Sequence, residues 1–220
     1  MAGTFERCGM KVRGRPTPAL ALEFLLTSSA DAETASHSLA RSWEIGPIIA
    51  GRHYSRGLSR PSHFGGSFGF PIGPEAQPHY VTFNHGSLRG KTQIRMRFRV
   101  DGHRGAIIHG ANCSTGSPSA VTLYFQRQGD DWATDGGRWW ATFASVQLNG
   151  PMAEREIVAP LNAKWTSVVN MTAGTDPNEF AAAKADAGRV GFTFANCEGY
   201  GHGARATAPV KFVVTRFQVL

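Results

Sequence analysis

Thr92-Gln93-Ile94-Arg95-Met96-Arg97-Phe98-Arg99-Val100 alternates strictly, with Ile94, Met96, Phe98 and Val100 on one side and Gln93, Arg95, Arg97 and Arg99 on the other. Side chains of an extended chain point to opposite faces in turn, so a period of two marks a strand with one dry and one wet face. The same reading recurs outward from this stretch. Tyr80–Asn84 is a short strand ending at His85-Gly86, residues 106–108 form another, and residues 121–126 set Val121, Leu123 and Phe125 opposite Thr122, Tyr124 and Gln126. Residues 138–148 read as one long aromatic strand, 156–159 as a short one and 165–171 as a β-branched one, and 190–194 and 211–219 close the series.

A single helix interrupts the strands. Asp176-Pro177-Asn178-Glu179 offers an N-cap, a proline at the first helical position and a glutamate three residues after the cap. Gly188 supplies a stop, which predicts a helix over about 176–187. About nine short strands with one small helix and no βαβ repeat predict an all-β, antiparallel jelly-roll-type sandwich over residues 71–220.

Composition agrees with that class. The 220 residues include 26 glycines and 12 prolines, the punctuation of tight turns, and 41% apolar residues supply a core. No apolar run approaches the roughly 18–20 residues of a membrane-spanning helix. The net charge of +7 favours an acidic partner such as nucleic acid, an anionic glycan or a membrane surface, or simply keeps the protein in solution.

Residues 1–40 read as a leader or a flexible basic arm. Arg7, Lys11, Arg13 and Arg15 precede a short apolar run from Ala19 to Leu26, broken by Glu23, and Ala30-Asp31-Ala32 follows as an A-x-A pattern. Cleavage there would place the protein in the periplasm or outside the cell; otherwise it is cytoplasmic. Residues 41–70 are rich in Gly, Pro, Ser and Arg with scattered aromatics, and read as an irregular segment laid over the sheet with an early strand near 47–50. Removal of a leader would take Cys8 with it and leave Cys113 and Cys197, two loop cysteines that either pair as a disulfide or remain separate thiols.

Chemistry concentrates in Tyr124-Phe125-Gln126-Arg127-Gln128-Gly129-Asp130-Asp131-Trp132 and Arg138-Trp139-Trp140. Sugars stack their C–H faces on indole and phenol rings while fixed polar groups hold the hydroxyls, so Tyr124, Arg127, Asp131, Trp132, Arg138 and Trp139 are candidate ligand contacts. Trp139 and Trp140 must face opposite sides of their strand, so at most one is core through that strand. Gly199-Tyr200-Gly201-His202-Gly203 reads as a tight loop that brings Tyr200 and His202 to a ligand site. Asp130, Asp131 and Asp135 form either a solvated turn or a structural calcium loop. The Arg95, Arg97 and Arg99 row either binds anions or pairs with acids on a neighbouring strand. Eight histidines show no ligand spacing, and Gly65-Gly66-Ser67-Phe68-Gly69 lacks the following helix a nucleophile elbow requires.

The C-terminal stretch Gly191-Phe192-Thr193-Phe194, Gly199-Tyr200-Gly201-His202-Gly203 and Phe212-Val213-Val214-Thr215-Arg216-Phe217 resembles the end of a galactose-binding-like jelly roll. Trp43-Glu44-Ile45-Gly46-Pro47, Tyr124-Phe125-Gln126-Arg127 and the glycine-rich loop also resemble segments of bacterial proteins without an assigned activity. The jelly-roll resemblance implies glycan binding, and no catalytic residue is carried over from it. The leading expectation is a non-catalytic domain binding a glycan or polysaccharide, with nucleic acid a poorer partner. One alternative is an oligomeric surface or virion component whose basic arm reaches a neighbouring subunit. Another is a lyase or hydrolase using Tyr124, Tyr200 and His202.

Overall fold

In a computed structural model, residues 42–49, 52–168 and 171–220 are described. In chain order the strands begin with β1 (Glu44–Gly46), β2 (Ile48–Ile49), β3 (Arg52–His53), β4 (Ser62–Phe64), β5 (Ser67–Ile72) and β6 (Tyr80–Asn84). They continue with β7 (Gln93–Gly102), β8 (Ile108–Gly110), β9 (Ser119–Arg127), β10 (Arg138–Trp140), β11 (Val146–Leu148) and β12 (Met152–Pro160). After β13 (Thr166–Ser167) come helix α1 (Pro177–Ala185), β14 (Ala187–Asn196), β15 (Gly199–Tyr200), β16 (Ala204–Ala206) and β17 (Val210–Val219).

Two antiparallel sheets face each other, an arrangement compatible with a jelly roll. The first runs β1-β6-β14-β9-β10-β13, with β11 also on β9 and β15 on β14; the second runs β12-β7-β17-β5-β4. Smaller pairs join β16 to β8 and β2 to β3. The alternation of residues 92–100 is obeyed: Ile94, Met96, Phe98 and Val100 are buried and the arginines between them lie on the outer face. That arginine row is committed to acids. Glu156 Oε1 takes Arg95 at 3.1 Å and Arg97 at 3.2 Å, and Asp101 takes Arg99 at 3.0 Å.

Between the sheets lies an aromatic core. Phe192 of the first sheet stacks near Phe212 of the second at 5.6 Å, and Trp43 meets Phe68 at 4.6 Å and Phe217 at 5.0 Å. Such rings bury large apolar areas and gain further from tilted and edge contacts. Helix α1 adds Phe180, which touches Trp139 at 4.9 Å and Phe125 at 5.9 Å.

Several expectations need correction. Among the described residues of 41–70 the chain is more than irregular cover: Trp43, Phe68 and Phe70 are core residues, β1 belongs to the first sheet, and β4 and β5 belong to the second. The hairpin joining β4 to β5 turns on Gly65 and Gly66 at φ 51° and 75°, a two-residue turn whose conformation glycine adopts freely. Residues 138–148 do not form one strand. They break at a 3₁₀ turn (Thr142–Ala144) into β10 and β11, both paired to β9. Asp176 does stand at the N-cap of α1, but its carboxylate takes Thr172 N at 3.2 Å instead of capping the helix. Gly188 is no helix stop; it lies in β14, close against Gln128. Among the described residues of the predicted strand 165–171, only Thr166–Ser167 is paired as a strand; 169 and 170 lie outside them. The leader or arm of residues 1–40, with Cys8, lies outside the described residues, as does Ala50 of the predicted strand 47–50. Among the described residues, no helix is long and apolar enough to cross a membrane.

Candidate functional site

The first sheet is covered on both faces. Along β9, Val121, Leu123 and Phe125 enter the core, yet Thr122, Tyr124 and Gln126 on the opposite face are buried as well. That outer face holds a second, smaller aromatic cluster of Tyr80, Tyr124 and Trp140, with Trp132, Val168 and Tyr200 against it. Strand β14 runs between β6 and β9, and its Gly191 lies opposite Tyr124. With no side chain at 191, the Tyr80 and Tyr124 rings from the flanking strands meet at 4.8 Å. A Cβ at 191 would also press into the Val81 backbone.

Trp132 comes from the loop between β9 and β10 and lies over this cluster. Its backbone is left-handed at φ 70°, a conformation unfavourable for a bulky residue. The half-buried ring meets Tyr80 edge-on at 5.1 Å, and the Arg138 guanidinium lies 5.2 Å from its centre. Beneath it, Asp130 is all but sealed from solvent. Its carboxylate accepts from Gln126 Nε2 at 2.8 Å and from Trp132 N at 3.3 Å. Arg138 Nε stands 3.3 Å from Asp130 Oδ2 as an ion pair, though not in line for a hydrogen bond, while Arg138 Nη2 donates to Thr134 O at 3.1 Å. Gly137 is required here, because a Cβ would come within 2.5 Å of the Asp130 carboxylate.

Trp132 walls two depressions. The larger, about 390 Å³, also touches Glu44, Arg60, Tyr80, Gln126 and Arg189. The second, about 230 Å³, touches Tyr54, His79, Trp140, Tyr200 and His202. Ser55 fastens the segment above them: its Oγ donates to Gly46 O at 2.6 Å and accepts from His79 N at 2.9 Å. The glycine-rich loop closes the far side. Gly201 and Gly203 N–H groups both donate to Phe194 O, Gly201 abuts the Tyr80 hydroxyl and Gly203 abuts the His79 ring. A disulfide between Cys113 and Cys197 anchors the turn that leads into this loop.

Ionisation in the site is displaced away from neutrality. Burial lowers His79 to about 4, partly opposed by its Nδ1 contact with Gly201 O at 3.1 Å and reinforced by nearby His202, Arg56 and His53. Burial raises Tyr80 and Tyr124 above the ordinary phenol value, so both stay protonated. The Tyr124 hydroxyl is buried without a hydrogen-bond partner among the described residues. Trp140 acts against the rise at Tyr80, and its Nε1 is buried without a hydrogen-bond partner among the described residues.

Of the residues singled out from sequence, Tyr124, Trp132, Arg138 and Tyr200 gather here, with His202 at the exposed rim. Tyr200 is held by a 2.6 Å bond between its hydroxyl and Ser145 Oγ. The other three stand elsewhere. Trp139 is fully buried in the main core, its Nε1 donating to Gly136 O at 2.8 Å; its neighbour Trp140 takes the outer face. Asp131 caps its own turn, accepting from Ala133 N at 2.9 Å, and these bonds lower its pKa. Arg127 faces Asp186 at 3.4 Å near the end of α1. Because Asp130 turns inward to Arg138 while Asp131 caps the turn, the acidic loop does not converge on one point; among the described residues no three acidic, histidine or cysteine side chains gather around a metal position.

From sequence, Asp130 stands only in the acidic turn and Trp140 only as the alternative to Trp139 for the outer face, and Tyr80 and His79 are not among the candidate ligand contacts. Tyr80 and Trp140 occupy the outward parity of their strands, where polar side chains are the rule, and that parity was the available signal. No family model matches the chain, and comparison with curated proteins gives no match.

Proposed function

We propose that the outer-face cleft divided by Trp132 is the binding site of a non-catalytic glycan-binding domain. The observation that carries this reading is Trp132 itself: a bulky residue held at φ 70° in the common wall of two depressions. A left-handed tryptophan costs free energy, and strain of this kind clusters at ligand sites. Its indole offers a face for a sugar ring, and Gln126, Asp130 and Arg138 fix polar groups beside it, the division of labour saccharide sites use. His79 and Tyr80 keep one protonation state near neutral pH, which suits fixed hydrogen bonding to hydroxyls. The finer identification as a galactose-binding-like carbohydrate module belongs to the same proposal.

Tryptophan fluorescence tests it. Of the five tryptophans, Trp43, Trp139, Trp140 and Trp165 are buried, so a ligand in the cleft acts mainly on Trp132. The expected result is a saturable change with a soluble polysaccharide that disappears in Trp132→Ala, with the near-ultraviolet circular dichroism of the remaining tryptophans intact. Silence across a panel of neutral and acidic polysaccharides overturns the proposal.

A further inference from the structure

We infer that the cleft selects a carboxylate-bearing glycan, a polymer or oligomer of uronic acid; this rests on the glycan reading above and adds the charge of the ligand. The inference comes from the balance of paired and unpaired charge around the larger depression. Both acids in its wall are already matched. Glu44 Oε2 lies 3.1 Å from Arg189 Nη1, and Asp130 lies against Arg138 with Gln126 donating to it. Arg60, in the same wall, makes no ion pair among the described residues, and neither do Arg52 and Arg56.

The unmatched cations share one origin. From Ile45 to Pro74 the chain contains no carboxylate, while Arg52, Arg56 and Arg60 all fall within it. This segment is fastened to the site. Ile45 N donates to Ser59 O at 2.9 Å next to Arg60, Gln77 N donates to Arg56 O at 3.1 Å, and β3 carries His53 against β2. The surplus is felt inside: the charge of Arg56 disfavours a proton on His79. An exposed arginine beside a stacking ring matches a uronic acid, whose carboxylate offers the fork two oxygens while the ring offers its C–H face.

The experiment titrates the intact chain, by tryptophan fluorescence at low and moderate salt, with polygalacturonate and with alginate. Each polymer is compared with its esterified form, which keeps the sugar ring and removes the charge, and single-stranded DNA serves as a polyanion without sugar carboxylates. Arg60→Gln is titrated in parallel. The expected result is binding of at least one acidic polymer roughly tenfold tighter than its ester, a loss of similar size in Arg60→Gln, and weakening with salt. Equal binding of acid and ester overturns the charge selection and leaves the glycan reading standing. DNA binding as tight as the acidic polymer, with competition between them, overturns it too, because the cleft then reads charge alone. No response to any polymer overturns both.

Discussion

The Arg138 guanidinium lies 5.2 Å from the centre of the Trp132 ring, and its Nε stands 3.3 Å from Asp130 Oδ2. The ion pair is nearly closed to water, so removing one partner leaves a charge without compensation. Asp130→Ala is expected to destabilise the fold by about 3 kcal/mol. Asp130→Asn, which keeps an oxygen for Gln126, is expected to cost less. Urea unfolding of the two variants beside the parent checks the order, and equal stability of Asp130→Ala and parent would show that water screens the pair.

The backbone of Trp132 makes a separate prediction. At φ 70° any residue with a Cβ carries a steric cost that glycine escapes. Trp132→Gly should therefore be more stable than Trp132→Ala by about 1 kcal/mol, although glycine normally loses more conformational entropy. Both variants lose the indole, so their difference isolates the backbone. Thermal and urea midpoints measured together decide it, and an alanine variant as stable as the glycine variant would remove the strain from the account of the site.

Strand parity made much of the fold legible and part of the site. Residues 92–100 have the alternation of a half-exposed strand because one face of β7 is dry and the other carries arginines to Glu156 and Asp101. The same rule underdescribes β9, where both faces are buried, so Tyr124 reads as wet and is not. For the tandem indoles the parity of Arg138 was informative: Arg138 and Trp140 share the outer face, which assigns Trp139 to the core. The early strands were hidden for another reason. They are two to six residues long, too short for periodicity to show, and only the Gly65-Gly66 pair betrays the β4–β5 hairpin. The cleft itself depends on where the loop after β9 and the segment after β1 come to rest, which local pattern does not encode.

The two indoles give the cleanest contrast in stability. Trp139 is fully buried against Phe180 and fills the main core, so Trp139→Ala should cost roughly 3–5 kcal/mol. Trp140 lies in the outer cluster beside Tyr124 at 5.8 Å, under the half-buried Trp132 and Tyr200. A thinner cover collapses more easily into the space left, so Trp140→Ala should cost less than Trp139→Ala. Denaturant unfolding of the two single variants checks the ranking; the reverse order would place the principal core on the other face.

The disulfide joins residues 84 positions apart, and closing a loop of that length removes much of the freedom of the unfolded chain. In the chain-entropy description, replacing Cys113 and Cys197 together by serine should cost about 4.5 kcal/mol. The loss should reach the site, since Cys197 precedes the turn that sets Tyr200 and Gly201 against Tyr80. Hydrogen exchange of residues 199–203 is expected to quicken in the double variant more than exchange in β7 or β17. Uniform quickening would mean that the link stabilises the fold without positioning the loop.

His79 sets the sign of a pH dependence. Its pKa is about 4 in the folded protein and 6.5 in its ordinary state, so between those values the unfolded chain binds a proton that the folded chain refuses. Stability then rises with pH across this window. The contribution is fully present above 6.5 and is lost as pH falls through 4. With an allowance for partial access to solvent, it amounts to about 2 kcal/mol. His79→Gln removes the titration while keeping a polar side chain beside Gly201. Urea unfolding of parent and variant from pH 7 to 4.5 should show a steeper fall in the parent, by up to one proton, because the carboxylates common to both cancel in the comparison. Parallel curves would mean that the folded protein accepts the proton as readily as the unfolded chain, and that the ring is not sealed behind Gly201 and Gly203.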